Sequence, residues 1–267
     1  MTRFIGFPGA PGLPDQRPRV DKTANNRRGA AIPGPIMELP PLTPATLLRR
    51  YKRFLADVRL EDGTEVVAHL PNPGRMTSCL RAEGGTPVLL SPGRARLPWT
   101  VELAMPGESW VLVNPGRANR VVGEAIADGR IPELAGWPTA RAEQRYGERS
   151  RVDWLLSDGE RRFYVEVKGV TLVRDGVAAF PDAVTSRGAR HLAELAARVA
   201  AGDRAALVFC VGRGDAREVI PADDVDPAYG RALRAAAAAG VALIAWEADV
   251  TPSRIVLRRP LPVRLPG

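Results

Sequence analysis

The chain is predicted to fold as a small all-β unit followed by an α/β unit, and three features of the sequence carry that expectation. Short strand-like runs separated by Gly and Pro turns fill residues 50–115. From Pro138 onward, strand and helix patterns alternate, with near-continuous apolar strands of the kind that are buried on both faces. At the start of this second stretch lies a hairpin-like segment carrying Asp153, Glu166 and Lys168.

Residues 1–36 stand apart. They hold six Pro and five Gly, and six Arg or Lys against Asp15 and Asp21, with no period of 2 or 3.6. Such a composition builds no core, so a disordered tail is expected, with Met37 a candidate alternative start. The tail carries +4 (six minus two) of the net +8, which leaves +4 on residues 37–267. Charge therefore argues only weakly for a polyanionic partner. The hydrophobic fraction of 45% and the charged fraction of 25% are those of a globular protein. No apolar run approaches the roughly 20 residues needed to cross a bilayer, so no membrane contact is expected. Cys79 and Cys210 lie far apart and make no metal knuckle, which reads as two free thiols in a reducing cytoplasm.

In the first unit, Arg53–Leu60 and Thr64–Leu70 flank the turn Glu61-Asp62-Gly63, and further strands are expected at Thr86–Ser91, Trp99–Ala104 and Trp110–Asn114. Five short strands suggest a small closed barrel of the OB type, with a sandwich as the alternative. A helix is expected over 117–129, ending at Gly129. In the second unit, strands at 151–156 and 162–168 surround Asp158-Gly159, and another hairpin surrounds Asp175-Gly176. There follow a helix at 186–201, a strand Ala205–Val211, a helix at 227–239 and a strand Val241–Glu247, the two strands forming a parallel pair.

The chemistry concentrates in the first hairpin of that unit. A two-residue turn at Asp158-Gly159 would pair Ser157 with Glu160 and set Asp153 opposite Tyr164. Alternation then places Arg151, Asp153, Tyr164, Glu166 and Lys168 on one face, and Val152, Trp154, Leu156, Phe163, Val165 and Val167 on the other. Asp153 and Glu166 become diagonal neighbours with Cβ atoms roughly 7 Å apart, close enough to share a hard cation. Mg2+ (or Mn2+) takes few carboxylates, keeps waters and accepts phosphate oxygens. The Val167 carbonyl is a further candidate ligand, and Lys168 points to the same side to hold water or phosphate. An isolated Glu-x-Lys would be an ordinary solvated sheet face; the acid falling in register upstream sets this one apart.

Downstream, Thr185 or Ser186 can cap a helix whose apolar stripe is Leu192, Leu195, Ala196 and Val199. Arg187, His191, Glu194 and Arg198 share another face, which is either a solvated surface or, through Arg187 and His191, a phosphate clamp at a helix N-terminus. The string Asn-Pro-Gly-Arg occurs twice, at 72–75 and 114–117, and reads as two tight turns projecting Arg75 and Arg117. On a barrel of this type, such arginines are candidate contacts to single-stranded nucleic acid. With two histidines and no phosphate-binding glycine loop, a serine- or cysteine-hydrolase and a nucleotide-loop enzyme are poorly supported.

Taken together these segments resemble the sugar fermentation stimulation protein A family of bacteria and archaea. The resemblance runs through Arg50-Tyr-Lys-Arg-Phe-Leu-Ala-Asp-Val, Pro71-Asn-Pro-Gly-Arg-Met, Asn114-Pro-Gly-Arg-Ala-Asn-Arg, Tyr146-Gly-Glu-Arg-Ser-Arg-Val-Asp, Tyr164-Val-Glu-Val-Lys and Phe180-Pro-Asp-Ala-Val-Thr-Ser-Arg-Gly. It implies an OB-like barrel over 37–115 and a PD-(D/E)xK nuclease-like domain over 116–267. In that motif Asp153 takes the first acidic position, Glu166 the second and Lys168 the lysine, with Glu143 as an additional upstream acid. Pro73 and Pro115 stand where Thr is more often expected. The family is described as DNA-binding and tied to regulation of sugar catabolism. Three functions follow as expectations: a metal-dependent phosphodiesterase of DNA or RNA using Asp153, Glu166 and Lys168, a non-catalytic DNA-binding regulator that keeps the nuclease fold, and an RNA-binding module acting through the barrel. The nucleic-acid contacts expected are Arg75, Arg117, Arg151, Arg187 and His191.

Overall fold

The first residues described in the computed structural model already depart from the expected domain order. The model describes residues 37–81, 83–93, 96–146 and 150–266, so the tail expected at 1–36 lies outside the described residues. β1 (Met37–Glu38) pairs antiparallel with β16 (Arg254–Pro260) at the far edge of the C-terminal sheet, with Met37 fully buried. The barrel begins only at β2 (Thr43–Tyr51) and not at 37.

The barrel contains β2, β3 (Leu55–Leu60), β4 (Glu65–His69), β5 (Thr86–Pro92) and β6 (Trp99–Ala104), with β7 (Val111–Leu112) appended. Strand order is β4-β3-β2-β5-β6-β7, and a short parallel pairing of β4 with β6 closes it. Alternate residues such as Ala56 and Val58, with Ala45, Leu47, Ala68, Val88, Leu90 and Val101, fill the interior. β2 had no place among the expected strands. A bulge between Leu47 and Arg49 breaks its alternation, so its sequence carries no clean period of 2.

α1 (Pro115–Ala127) starts two residues before the expected helix, because Asn114 caps it and Pro115 occupies its first turn. The second unit continues with β8 (Thr139–Tyr146), β9 (Ser150–Ser157), β10 (Arg162–Val170), β11 (Leu172–Arg174), β12 (Val177–Phe180), α2 (Ser186–Ala200), β13 (Arg204–Val211), β14 (Glu218–Pro221), α3 (Pro227–Ala238) and β15 (Ala242–Val250). Seven strands form one sheet in the order β1-β16-β15-β13-β10-β9-β8, with β10, β13 and β15 parallel; β11, β12 and β14 form a small second sheet. α1 covers one face of the large sheet, over Leu156, Phe163, Val165 and Val208. α2 and α3 cover the other, over Tyr164, Leu207 and Phe209.

Two details of the acidic hairpin differ from expectation. Ser157 pairs with Arg162, not with Glu160, so the loop has four residues and the register moves by two. The Asp158 carboxylate accounts for this, since it accepts from the Arg161 backbone N–H (2.8 Å) and its Nε (2.7 Å) and closes the longer loop. A shift of two leaves every side chain of β10 on its expected face. The second difference is in β9. Val152 packs with Tyr146 and Tyr164 on the α2 side, whereas Trp154 and Leu156 pack on the α1 side. The alternation breaks at Asp153.

The two units meet through specific polar contacts. Asp182, from the loop after β12, accepts from the Met76 backbone N–H at 3.1 Å and approaches so close to Gly74 that a Cβ there would lie 1.9 Å from its Oδ1. Arg213, buried, donates to the carbonyls of Ser78 (3.2 Å) and Thr171 (2.9 Å). Among the described residues, no helix is long and apolar enough to cross a membrane.

Candidate metal centre

The break in β9 puts the first acid where it is useful. The register of β9 with β10 runs to Trp154 and Val165, and beyond it the Val167 N–H donates to the Asp153 carboxylate (2.7 Å) in place of a strand carbonyl. The other Asp153 oxygen accepts from the Asn119 side chain on α1, also at 2.7 Å. Asn119 is oriented without ambiguity: Trp154 Nε1, which can only donate, gives its proton to Asn119 Oδ1 (2.8 Å), so the amide nitrogen faces Asp153. Gly123, one turn further along α1, makes room for the Trp154 ring, which a Cβ would meet at 1.9 Å. Sequence reasoning assigned Asn119 no role. Its only signal was its position inside the string Asn114-Pro-Gly-Arg-Ala-Asn-Arg.

Glu166 lies on the face of β10 that alternation predicts, and that face is covered by a helix. α2 lies over it and leaves it 3% exposed. Its Oε1 accepts from Lys168 Nζ at 2.6 Å and contacts His191 Nδ1 from α2. Its Oε2 is buried and has no hydrogen-bond partner among the described residues. A buried polar atom without a partner costs on the order of 1–3 kcal/mol, more if charged, and so calls for a water or an ion as its partner. His191 is correspondingly not on a solvated helix face. It is buried beside Leu192 and Leu195.

The electrostatics of the two acids diverge. Burial, reinforced by the Glu166 charge, pushes the Asp153 carboxyl up to about 6 against the pull of the Val167 N–H and Lys168. Burial acts on Glu166 in the same direction, but the His191 hydrogen bond and the Lys168 charge outweigh it and hold that carboxyl below its usual range. The two carboxylates are close enough for the charge of one to raise the other, and one bears an oxygen without a partner. Among the described residues no group of three or more His, Cys, Asp or Glu could hold a metal. Asp153 and Glu166 offer oxygen donors, the kind that Mg2+ and Mn2+ take, whereas Zn2+ wants a full protein shell.

The remaining candidates scatter. Glu143 is exposed, has a positive φ of 55°, and is close enough to raise Asp153 further; Arg151, also exposed, lies 3.9 Å from it. Arg187 is exposed, with its Nε engaged on His191. Arg75 is exposed at a cleft of about 660 Å³ that is also lined by Arg50, Arg53, Leu80 and Val184. Arg50 shapes both rims by donating to the carbonyls of Arg53, Asn72 and Arg75. Arg117 does not project outward. It clasps the buried Glu102 through Nε (3.0 Å) and Nη2 (2.9 Å), which takes it out of the expected set of nucleic-acid contacts.

Comparison with known proteins agrees with this architecture. Residues 48–113 match the SfsA N-terminal OB domain, and residues 116–254 match the sugar fermentation stimulation protein RE domain. A sugar fermentation stimulation protein homolog of Thioalkalivibrio sulfidiphilus is 54% identical over 231 residues, which span 85% of this chain and 97% of that protein. The homolog of Geobacter sulfurreducens is 52% identical over 226 residues, 84% of this chain and 96% of that protein. The solved structure of Pyrococcus furiosus SfsA in complex with Ca2+ superposes with a TM-score of 0.78 at 27% identity, covering 85% of this chain and 98% of that one. The chain belongs to the sugar fermentation stimulation protein family, with an N-terminal OB domain followed by a C-terminal domain.

Proposed function

We propose that this protein is a divalent-cation-dependent phosphodiesterase acting on nucleic acid. The observation that carries the reading is the buried, unpartnered Oε2 of Glu166 beside an Asp153 whose carboxyl is held up by burial and by Glu166 itself. Asp153, Glu166 and the Val167 carbonyl would hold the cation, Mg2+ or Mn2+. The Pyrococcus furiosus relative was solved in complex with Ca2+, another hard cation that takes oxygen ligands, which supports this choice. When bound, such a cation lowers the pKa of a water and offsets charge on phosphate.

The chain's own residues do the rest. Asn119 and the Val167 N–H fix both oxygens of Asp153, leaving its other lone pairs free. Lys168, only slightly exposed at 15% of its side chain, supplies a desolvated ammonium to offset charge that develops on the phosphate. Exposed Arg53, Arg75 and Arg151 supply phosphate contacts that hold DNA, or single-stranded nucleic acid or RNA, without regard to sequence.

One observation favours a second reading, a DNA-binding regulator that does not cleave: Glu166 is deeply buried and its Oε1 is already occupied. The two readings part in one assay. Purified protein is incubated with single- and double-stranded DNA and RNA, with Mg2+ or Mn2+ and with EDTA. The phosphodiesterase reading predicts cleavage of at least one substrate that EDTA abolishes and that is absent in Asp153→Ala. No cleavage of any substrate with either metal, alongside DNA binding unaffected by Asp153→Ala, selects the regulator.

A further inference from the structure

Arg187 and His191 are four residues apart on α2, so they lie one above the other on the same side of the helix. Their contacts run inward in series. Arg187 Nε donates to His191 Nε2 at 3.2 Å, and His191 Nδ1 contacts Glu166 Oε1. A guanidinium has donors and no acceptor, so the ring nitrogen that faces it must present a lone pair. The ring proton is then on Nδ1, and Nδ1–H is the donor to the carboxylate. With the opposite tautomer, Nδ1 would turn a lone pair toward Glu166 Oε1 while Nε2–H faced an N–H of Arg187, leaving both contacts repulsive.

We propose that Arg187 and His191 are positioning residues for Glu166: Arg187 fixes the Nδ1–H tautomer of His191, and His191 in that form holds the carboxylate through Oε1, which would leave Oε2 for a cation. The assignment of Glu166 as a cation ligand rests on the phosphodiesterase reading above; the tautomer does not. Two donors on one oxygen, His191 Nδ1–H and Lys168 Nζ at 2.6 Å, restrain rotation of the carboxylate, and Oε2 is the buried atom left without a partner. Arg187 thus acts through its effect on the ring, and His191 through its effect on Glu166, in the manner of outer partners that orient metal-binding side chains.

The chain has two histidines, His69 and His191, which makes the tautomer directly measurable. Full-length protein labelled with ring-15N histidine is examined by NMR without metal, and the His69 signals are identified with His69→Gln. The expected result for His191 is a protonated, pyrrole-type Nδ1 and a pyridine-type Nε2. In Arg187→Ala, whose substituted side chain is on the surface, the ring shifts to a mixture of tautomers. A His191 ring protonated at Nε2, or at both nitrogens, in the wild type overturns the proposal, as does an unchanged ring in Arg187→Ala.

The link to the cation is read by Mn2+ titration followed by EPR. His191→Ala is expected to lose about 10- to 100-fold in Mn2+ affinity. His191→Asn, whose amide nitrogen can stand in for Nδ1–H, is expected to recover most of that loss. Equal affinity in wild type and His191→Ala overturns the positioning role. A wild type that carries the Nδ1–H ring yet binds no Mn2+ supports the tautomer and counts against the phosphodiesterase reading, so the two can fail separately.

Discussion

The tetrapeptide Asn-Pro-Gly-Arg occurs twice in this protein, and the two copies do different work. At 72–75 and again at 114–117, the asparagine Oδ1 accepts from the glycine N–H at 2.9 Å, so the local turn is the same. In the first copy the loop is met by Asp182 from the other unit, and Arg75 is left exposed at the cleft. In the second the asparagine caps α1, and Arg117 folds back onto Glu102 of β6. Four residues specify a turn; what the arginine does depends on whether a buried carboxylate waits for it.

The largest expected difference between the copies is in stability. Arg117→Ala strands Glu102 without its cation, at a cost of about 3–5 kcal/mol. Arg75→Ala changes stability by no more than about 0.5 kcal/mol. Denaturant unfolding of the two variants measures both, and equal effects would break the comparison.

Glu102 also sharpens the contrast with the candidate site. Burial pushes Glu102 up, but its bonds to Arg117 and Ser91 more than reverse this, so its carboxyl lies below the usual range. Asp153 accepts from Val167 and Asn119 and feels Lys168, yet burial and the Glu166 charge prevail and push it up to about 6. A carboxyl raised in the folded state favours the neutral form there. Its contribution is therefore complete below the ordinary carboxylate range near pH 4 and is lost as pH rises through about 6. The gap of about two pKa units corresponds to about 3 kcal/mol. Metal-free protein should lose up to that much stability across this window, while Asp153→Asn should not. Unfolding midpoints from pH 4 to 7 in EDTA check it.

Next come the two glycines. Gly74→Ala drives a Cβ into Asp182 and should cost about 1–3 kcal/mol. At Gly116 the nearest atom to an added Cβ is Asn114 Oδ1 at 3.2 Å, and Gly116→Ala in the first turn of α1 should change stability by less than about 1 kcal/mol. Thermal melts of both distinguish a loop packed from outside from one closed by its own cap. The smallest effect is on binding. Arg75→Ala should reduce the salt-dependence slope of DNA binding by about one, whereas Arg117→Ala should leave it unchanged.

Much of this was legible in the sequence. The motif strings pointed to the family, Asp158-Gly159 and Asp175-Gly176 marked real turns, and Thr185 caps α2 as its residue type suggests. What was not legible has physical causes. β2 and β9 contain irregularities that erase the period of 2, so one strand was overlooked and Val152 was placed on the wrong side. β1 is two residues long and gains its meaning from pairing with β16, more than two hundred residues away. The sequence puts Glu166 on the face opposite the apolar one and leaves His191 between a solvated surface and a phosphate clamp; no local pattern announces a buried pair 25 residues apart. Asn119 was invisible as a functional residue because its partners, Asp153 and Trp154, come from a different element.

Whether the proposed acidic hairpin cleaves nucleic acid or only binds it is decided by Lys168→Ala. The substitution removes the ammonium but keeps both carboxylates. Cleavage rate in Mg2+ and DNA affinity are measured on the same preparation of wild type and variant. The account predicts a fall in rate of about a hundredfold or more with affinity nearly unchanged, because most phosphate contacts come from arginines elsewhere. A variant that cleaves as fast as wild type, or one that loses DNA affinity in proportion to its rate, would contradict it.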